Sequence, residues 1–257
     1  MTYTIAMAGK GGTGKTTVCG LFLDQLVKMG KGPILAVDAD ANSNLNEVLG
    51  VEKPISLGDI REEIAKAEMA EKNPIPPGMS KKEYTDFRFG SALVEENDYD
   101  MLLMGRTQGK GCYCYVNDLL RDQLNKYYAN YNYIVVDNEA GLEHISRGIL
   151  PPVELILLVS DCSRRGIQAA GRIAEMIGEL DFKAKNVRLI VNRAPQGRLD
   201  PGIEAEIAAQ KLSLIGVLPQ DENVYKYDAE GKALITLSED TPVRQALGEI
   251  IKKLDIK

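Results

Sequence analysis

Residues 3–17 read YTIAMAGKGGTGKTT, and this stretch decides the fold. An apolar run of strand length leads into a glycine-rich segment, and an apolar helical pattern begins directly after it. The pattern G-x-x-x-x-G-K-[ST] of a phosphate-binding loop is matched by Gly9, Gly14, Lys15 and Thr16. Such a loop surrounds phosphate groups with backbone N–H donors at the start of a helix. The strand before the motif and the helix after it are the context that it requires, so the stretch predicts a nucleotide-binding α/β fold.

The same alternation of strand and helix continues along the chain of 257 residues. Unbroken apolar runs predict strands at residues 3–8, 34–38, 101–104, 133–137, 155–160, 187–191 and 214–217. Runs of this kind are typical of parallel strands that are covered on both faces. The expected fold class is therefore α/β, with one doubly wound, mostly parallel sheet and helices on both faces.

Two helices near the ends of the chain are predicted from apolar periodicity. The first follows the phosphate loop, ends at Gly30 and Gly32, and has an apolar face made of Val18, Leu21, Phe22, Leu26 and Met29. The second lies in RQALGEIIKKLDIK, residues 244–257, which has interspersed acidic residues and no aromatic anchor. We expect it to pack on the core rather than to lie in a membrane.

Residues 51–98 are the least regular part of the chain. A helical pattern over residues 55–72 is followed by a segment rich in turn-forming residues, 73–84. The region has too few apolar residues for a core of its own. We therefore expect a single domain over residues 1–257, with an irregular helical excursion at about 51–98.

Composition excludes several classes of protein. The chain is 44% hydrophobic and 26% charged, which is ordinary for a globular protein, and no apolar run approaches the roughly 18 residues of a membrane span. The formal net charge of −6 argues against a nonspecific nucleic-acid binder. The first residues lack the basic region of a signal peptide. We expect a cytoplasmic protein that binds neither membrane nor nucleic acid.

Acidic residues follow two predicted strands at the edge of the sheet where the phosphate loop lies. Asp38 and Asp40 end the strand in VDADANSNL, and Asp137 ends the strand in YIVVDNEAGLEH. The carboxyl ends of parallel strands form the ligand-binding edge of a doubly wound sheet. Lys15 is expected to reach the β- and γ-phosphates and the Thr16 hydroxyl to bind Mg²⁺. Asp137 is expected to bind the same ion through water.

The segment QGKGCYCYVND, residues 108–118, contains two of the four cysteines of the chain, Cys112 and Cys114. They could be packed thiols, a redox pair, or half of a metal site. A disulfide across one residue is strained, and two thiolates are too few for a closed tetrahedral site. Cys19 and Cys162 are expected to be packed thiols, and His144 to make a helix or loop contact.

Lys10 extends the loop to G-K-G-G-x-G-K-T-T, and in this respect the chain resembles the deviant Walker A ATPases, the MinD/ParA and nitrogenase iron protein class. The resemblance implies a nucleotide-linked homodimer in which Lys10 reaches the nucleotide of the partner subunit. It also implies that Asp40 activates the attacking water and that Asp38 contacts the Mg²⁺ shell. Asn44 would then act in the switch that meets the partner, and Gly141 would sense the γ-phosphate.

The same resemblance implies how ATP or ADP is held. The phosphates would be bound by Gly11, Gly12, Thr13, Gly14, Lys15, Thr16 and Thr17. The Asn192 amide and the backbone around Pro219 and Asp221 would hold adenine. The guanine-reading motif N-K-x-D does not occur in the chain, which favours ATP over GTP.

Together with the C-Y-C segment, DADANSNLN and DNEAGLEH make the chain similar to the CooC-type nickel-insertion ATPases. This resemblance implies a homodimer in which Cys112 and Cys114 of both subunits bind Ni²⁺, with carbon monoxide dehydrogenase as the client enzyme. Zn²⁺ fits four thiolates equally well. Two alternatives are a MinD/ParA-like positioning ATPase and an ATP-driven electron-transfer protein like the nitrogenase iron protein.

Overall fold

The computed structural model describes residues 2–40, 44–67, 75–105, 125, 126, 128–138, 152–179, 186–254 and 256. Its strands are β1 (Tyr3–Ala8), β2 (Ile34–Ala39), β3 (Val94–Glu95), β4 (Tyr99–Leu103), β5 (Tyr133–Asn138), β6 (Leu155–Asp161), β7 (Asn186–Ala194) and β8 (Leu214–Pro219). The helices within these residues are α1 (Lys15–Lys28), α2 (Leu45–Leu49), α3 (Leu57–Ala67), α4 (Lys81–Gly90), α5 (Arg164–Glu179), α6 (Pro201–Ala209), α7 (Glu222–Ala229) and α8 (Pro242–Lys253). Short 3-10 turns lie at Pro195–Gly197 and Leu234–Thr236.

The strands form one sheet in the order β3-β4-β2-β5-β1-β6-β7-β8. All neighbouring strands are parallel except β3 and β4, which are antiparallel. The predicted fold class and all seven predicted strands are confirmed. The sequence reading missed β3, because a strand of two residues at the sheet edge is too short to show a period.

The core lies in two layers, one on each face of the sheet. Ile5 and Met7 of β1 point into a layer that is covered by α1 and α8, whereas Ala6 and Ala8 point into the opposite layer. The opposite layer is covered by α3, α4, α5 and α6. This alternation along a strand buried on both faces explains why the strand sequences are continuously apolar.

Helix α1 buries most of its predicted apolar face but not all of it. Val18, Leu21, Phe22 and Leu26 are fully buried, whereas Met29 is 49% exposed. The inclusion of Met29 was wrong, because the helix ends at Lys28 and Met29 is the residue that caps it. Gly30 follows in the left-handed conformation, with φ 70°, as expected for a helix terminator.

The excursion at 51–98 packs against the sheet. Leu57, Tyr84 and Phe89 are buried in the same layer as Val37 of β2. Helix α4 begins inside the segment predicted as turn-rich, so that prediction was wrong for residues 81–84. The Ser80 side chain accepts a hydrogen bond from the Glu83 N–H, and the Glu83 side chain accepts one from the Ser80 N–H. This is a capping box, and the sequence S-K-K-E matches its pattern. Residues 68–74 lie outside the described part, and the division into domains stays a prediction.

The C-terminal segment packs on the core, as predicted. Val243, Leu247, Ile250 and Ile251 of α8 are buried in the layer that also contains α1. Among the residues that the structure describes, no helix has the length and apolar character needed to cross a membrane.

Candidate functional site

The candidate site lies at the carboxyl ends of the central strands. Strand β1 lies between β5 and β6. The next four strands in sequence, β2 to β5, lie on one side of β1, and β6 to β8 lie on the other side. Doubly wound sheets bind their ligands in the crevice at such a switch point. The loop of residues 9–14 leaves β1 at this position and enters α1.

Two glycines of this loop are required by close contacts. Gly9 has φ 150°, and a Cβ atom on it would lie 2.2 Å from the carbonyl oxygen of Val159 on β6. Gly14 has φ 87°, and its Cβ would lie 2.4 Å from Nδ2 of Asn192 on β7. The loop is therefore pressed against two strands that are distant in sequence, and only glycine fits there.

Internal hydrogen bonds hold the loop in a closed shape. The Thr13 hydroxyl donates to the Lys10 carbonyl oxygen at 3.0 Å, and Nζ of Lys15 donates to the same oxygen at 3.2 Å. Lys15 is only 7% exposed, so its ammonium group is already directed across the loop. The Lys10 side chain is exposed. No side chain caps the start of α1, which leaves its first backbone donors for a ligand.

Two buried carboxylates stand next to the loop. Asp38 of β2 and Asp137 of β5 are register partners on adjacent parallel strands, and they are 0% and 1% exposed. Burial raises the pKa of Asp137 to about 7, and the nearby Asp38 carboxylate adds to this effect. Burial also raises the pKa of Asp38 to about 6. Two acidic groups held together away from water are a pair that a cation would stabilise.

The donor set fits Mg²⁺. Oδ1 of Asp137 is buried and accepts no hydrogen bond in the structure, while the Thr16 side chain hydrogen-bonds to the same carboxylate. Carboxylate and hydroxyl oxygens beside bound phosphates are the ligands that Mg²⁺ prefers. Thr16 and Asp137 would hold such an ion and would bring it to the phosphate oxygens.

Asp38 is placed differently from Asp137, because both of its oxygens accept backbone hydrogen bonds. Oδ1 accepts from the Asp40 N–H at 3.0 Å and Oδ2 from the Leu45 N–H at 3.1 Å. Asp38 thereby holds both ends of the segment that carries Asp40 and Asn44. Asp40 is half-buried and Asn44 is exposed.

A cleft of about 730 Å³ opens beside the start of α1. Its walls include the three predicted adenine residues, Asn192, Pro219 and Asp221, together with Thr17, the last of the predicted phosphate residues. Nδ2 of Asn192 donates to the Thr13 carbonyl at 2.9 Å. The contact of the Asn192 amide with adenine stays a prediction.

Asp221 supports the cleft through its side chain. Oδ1 accepts from the N–H of Asn223 at 2.9 Å at the start of α7, and Oδ2 accepts from the N–H of Val243 at 3.2 Å at the start of α8. The carboxylate therefore fixes two helices. The backbone at this position remains the predicted contact with adenine.

Two residues of this region were missed by sequence reasoning. Asn138, which is 2% exposed, donates to the Met7 carbonyl at 2.9 Å and so ties β5 to β1 beside the loop. Arg193 has a positive φ of 56° and donates to the Gly12 carbonyl at 3.2 Å. Their position directly after Asp137 and Asn192 was the only sequence signal.

Three predicted site residues, Cys112, Cys114 and Gly141, lie outside the described part of the chain, as does His144. Their roles stay predictions. Cys19 is fully buried in α1, as expected for a packed thiol, and Cys162 is half-buried against the core. No group of three or more potential metal ligands is found among the described residues.

Comparisons with known proteins agree with this geometry. The family model of the CobQ/CobB/MinD/ParA nucleotide binding domain (CbiA) matches residues 4–235. An uncharacterized ATP-binding protein of Methanocaldococcus jannaschii is 40% identical over 250 residues, which cover 97% of each chain. The carbon monoxide dehydrogenase accessory protein CooC of Rhodospirillum rubrum is 30% identical over 250 residues, covering 91% of this chain and 90% of that protein.

A solved structure with the same fold is the septum site-determining protein MinD of Pyrococcus horikoshii, in complex with Mg-ADP. It superposes with a TM-score of 0.71 at 22% identity, over 100% of this chain and 97% of its own. At this identity the likeness establishes the fold.

Proposed function

Because the chain belongs to the CobQ/CobB/MinD/ParA family of nucleotide-binding ATPases, we propose that it is a Mg²⁺-dependent ATPase whose homodimer carries Ni²⁺ to carbon monoxide dehydrogenase. The proposed protein is a single cytoplasmic domain. ATP binding and hydrolysis would control the dimer, and the nickel ion would be its cargo.

The buried carboxylate of Asp137 is the observation that carries the ATPase part. Its pKa of about 7 and its buried oxygen without a hydrogen bond indicate a group that is built to receive a cation. Thr16 lies against it, and Lys15 comes from the same loop. Bound Mg²⁺ would neutralise charge on the phosphates.

The chain's own residues then divide the remaining tasks. The loop N–H groups and Lys15 would bind the β- and γ-phosphates, and Lys10 of the partner subunit would add a second cation. Asp40 would orient the attacking water. Because Asp38 accepts a hydrogen bond from the backbone N–H of Asp40, the position of Asp40 depends on Asp38.

The nickel part rests on the C-Y-C segment and on the similarity to CooC. Cys112 and Cys114 supply two thiolates per chain, and a two-fold dimer would bring four together. Thiolates favour soft or borderline ions, which include Ni²⁺ and Zn²⁺. The 30% identity to CooC extends over nearly the full length of both chains, and this similarity supports the nickel proposal.

Anaerobic gel filtration with metal analysis tests the proposal. The wild type, Cys112→Ser/Cys114→Ser and the control Cys162→Ser would be compared with and without Ni²⁺, ADP and ATP, and ATP hydrolysis would be measured on the same samples. We expect about one metal ion per dimer in the wild type and in the control, from the four-ligand argument. Metal retained by the double variant at the same stoichiometry would refute the cysteine site.

A MinD/ParA-like positioning ATPase is the second candidate, and the shared fold favours it. Membrane attachment through the C-terminal helix is disfavoured, because the apolar face of α8 is buried against the core. Co-sedimentation with anionic lipid vesicles in the presence of ATP separates the two. An oxygen-sensitive brown protein would instead favour an iron–sulfur electron carrier over both.

A further inference from the structure

The exposed ring of Tyr225 is a feature that the proposed roles do not use. Its side chain is 75% exposed, the highest value among the large hydrophobic residues exposed in the described part of the chain. Covering the faces of a tyrosine ring lowers the free energy of the system, and tyrosine is a frequent anchor at binding sites for this reason. Such an exposed ring on a helix of the ligand-binding edge suggests a partner that covers it.

Helix α7, which carries this ring, is itself only lightly packed. None of its eight residues is buried. It is held at its start by the Asp221 cap, and Val224 and Tyr227 are partly buried against the core. Tyr227 faces the Lys232 ammonium group, 5.7 Å from its ring centre. Tyr225 lies between Val224 and Tyr227 in sequence, and its ring is exposed on this lightly packed helix.

Tyr225 forms part of the wall of the cleft beside the phosphate loop. Tyr225 lines this cleft together with Thr17 of α1 and Pro219 of β8. A volume of about 730 Å³ is within the range of sites that hold small molecules and cofactors. A nucleotide whose phosphates lie at the loop would extend its base along the cleft toward α7.

We propose that the Tyr225 ring stacks on the purine base of the bound nucleotide. The inference rests on the proposed nucleotide site and adds to it the residue that binds the face of the base. Val18 and Val243 line the same cleft and add apolar surface to its wall. Aromatic side chains stack on any base, because every base has a π-face.

This assignment separates affinity for the base from the choice of base. Stacking on Tyr225 would strengthen the binding of every purine nucleotide. Discrimination between adenine and guanine would depend on the base edges, which the Asn192 amide and the backbone near Pro219 can reach. Loss of the ring should therefore weaken ADP and GDP by the same factor.

Isothermal titration with two ligands tests the role of the ring. Mg-ADP contains the base, whereas Mg-tripolyphosphate carries only the phosphates. For Tyr225→Ala we expect a Kd for Mg-ADP that is about 5- to 150-fold higher, the factor that corresponds to loss of one stacked base, and an unchanged Kd for tripolyphosphate. Tyr225→Phe should keep the wild-type affinity. Phe87→Ala, which removes an exposed ring from α4, is the matched control.

Fluorescence gives an independent measurement, because the chain contains no tryptophan. Tyr225→Trp introduces a single indole at the cleft, and its emission should be quenched by Mg-ADP but not by Mg-tripolyphosphate. Phe87→Trp should respond to neither.

The outcomes distinguish this inference from the function on which it rests. A wild type that binds no Mg-ADP overturns both. Normal Mg-ADP affinity in Tyr225→Ala overturns the stacking role and leaves the ATPase intact. An equal loss of tripolyphosphate affinity also overturns it, because the ring would then act by supporting the cleft.

Discussion

The carboxylates of Asp38 and Asp137 carry an electrostatic cost in the protein without ligand. They are register partners on adjacent strands, and both are buried. In the unfolded chain each would titrate near 3.8, whereas burial raises the pKa of Asp137 to about 7. Between these pH values the folded state retains a proton that the unfolded state has released. The free energy of unfolding should therefore fall as pH rises from about 4 to 7.

Asp137→Asn should remove this cost. Without Mg²⁺ and nucleotide at pH 8, we expect the variant to be more stable than the wild type by about 2 to 4 kcal/mol, and the difference should be absent below pH 4. The Asn variant should at the same time lose the stabilisation that Mg-ADP gives to the wild type. Urea denaturation at several pH values measures both effects.

Asp98→Asn is the control, because Asp98 is exposed in the turn before β4. It should leave stability unchanged at every pH. A wild type whose stability is constant between pH 5 and 8 would contradict the assigned cost.

Sequence reasoning found the acidic residues of the site but not their supports. Asp38 and Asp137 were predictable because they end apolar runs of strand length. Asn138 and Arg193 were not, because their partners are the carbonyls of Met7 and Gly12, which are 131 and 181 positions away in the chain. Contacts of that separation depend on strand order, which a pattern of single residues does not contain.

At the scale of elements, the wall of the cleft depends on one shared cap. Asp221 accepts from the first turns of α7 and α8, whereas Asp200 caps only α6, through the N–H of Gly202 at 2.8 Å. Removal of a helix cap costs roughly 1 kcal/mol. Asp221 therefore caps two helices and Asp200 caps one, so Asp200 is a matched comparison for Asp221.

We expect Asp221→Ala to lower the free energy of unfolding by about 2 kcal/mol and Asp200→Ala by about 1 kcal/mol. Urea denaturation of the two variants checks the ratio. Asp221→Ala should also weaken Mg-ADP binding, because α7 forms one wall of the cleft, and Asp200→Ala should not. Equal losses of stability would mean that only one of the two Asp221 contacts contributes.

The errors at the element scale also have physical causes. The seven long strands were predictable because burial on both faces makes their sequences continuously apolar. Helix α4 was not predicted, because the prolines and the glycine before it indicated turns, although Ser80 and Glu83 form the capping box that starts the helix. Met29 was placed on the helix face because periodicity does not show where a helix ends.

On the scale of the whole molecule, Arg244 connects the C-terminal helix to the helix of the phosphate loop. Its side chain is 0% exposed. It contacts Asp24 of α1 at 2.5 Å, Glu239 at 3.0 Å and the carbonyl oxygen of Ile235. Helix α8 thereby holds the end of α1 that is remote from the nucleotide.

Asp24→Ala should destabilise the protein by roughly 2 to 4 kcal/mol, because it leaves a buried guanidinium group with incomplete compensation. Glu239→Ala should cost less than about 1 kcal/mol, because this carboxylate is 54% exposed. Urea denaturation of both variants provides the comparison. Equal costs would show that the guanidinium group does not depend on its buried partner.

The central position of β1 has a consequence for synthesis of the chain. Met7 pairs with Asp137 on one side and with Leu157 on the other, and Gly9 is shaped by contact with Val159. Ribosomes add about 5 to 20 residues per second, so the loop is synthesised roughly seven to thirty seconds before both of its neighbouring strands exist. During that time β1 has two unpaired edges, which are prone to wrong pairing. Because the loop takes its shape from contact with β6, nucleotide binding can stabilise the nascent chain only after β6 has been synthesised.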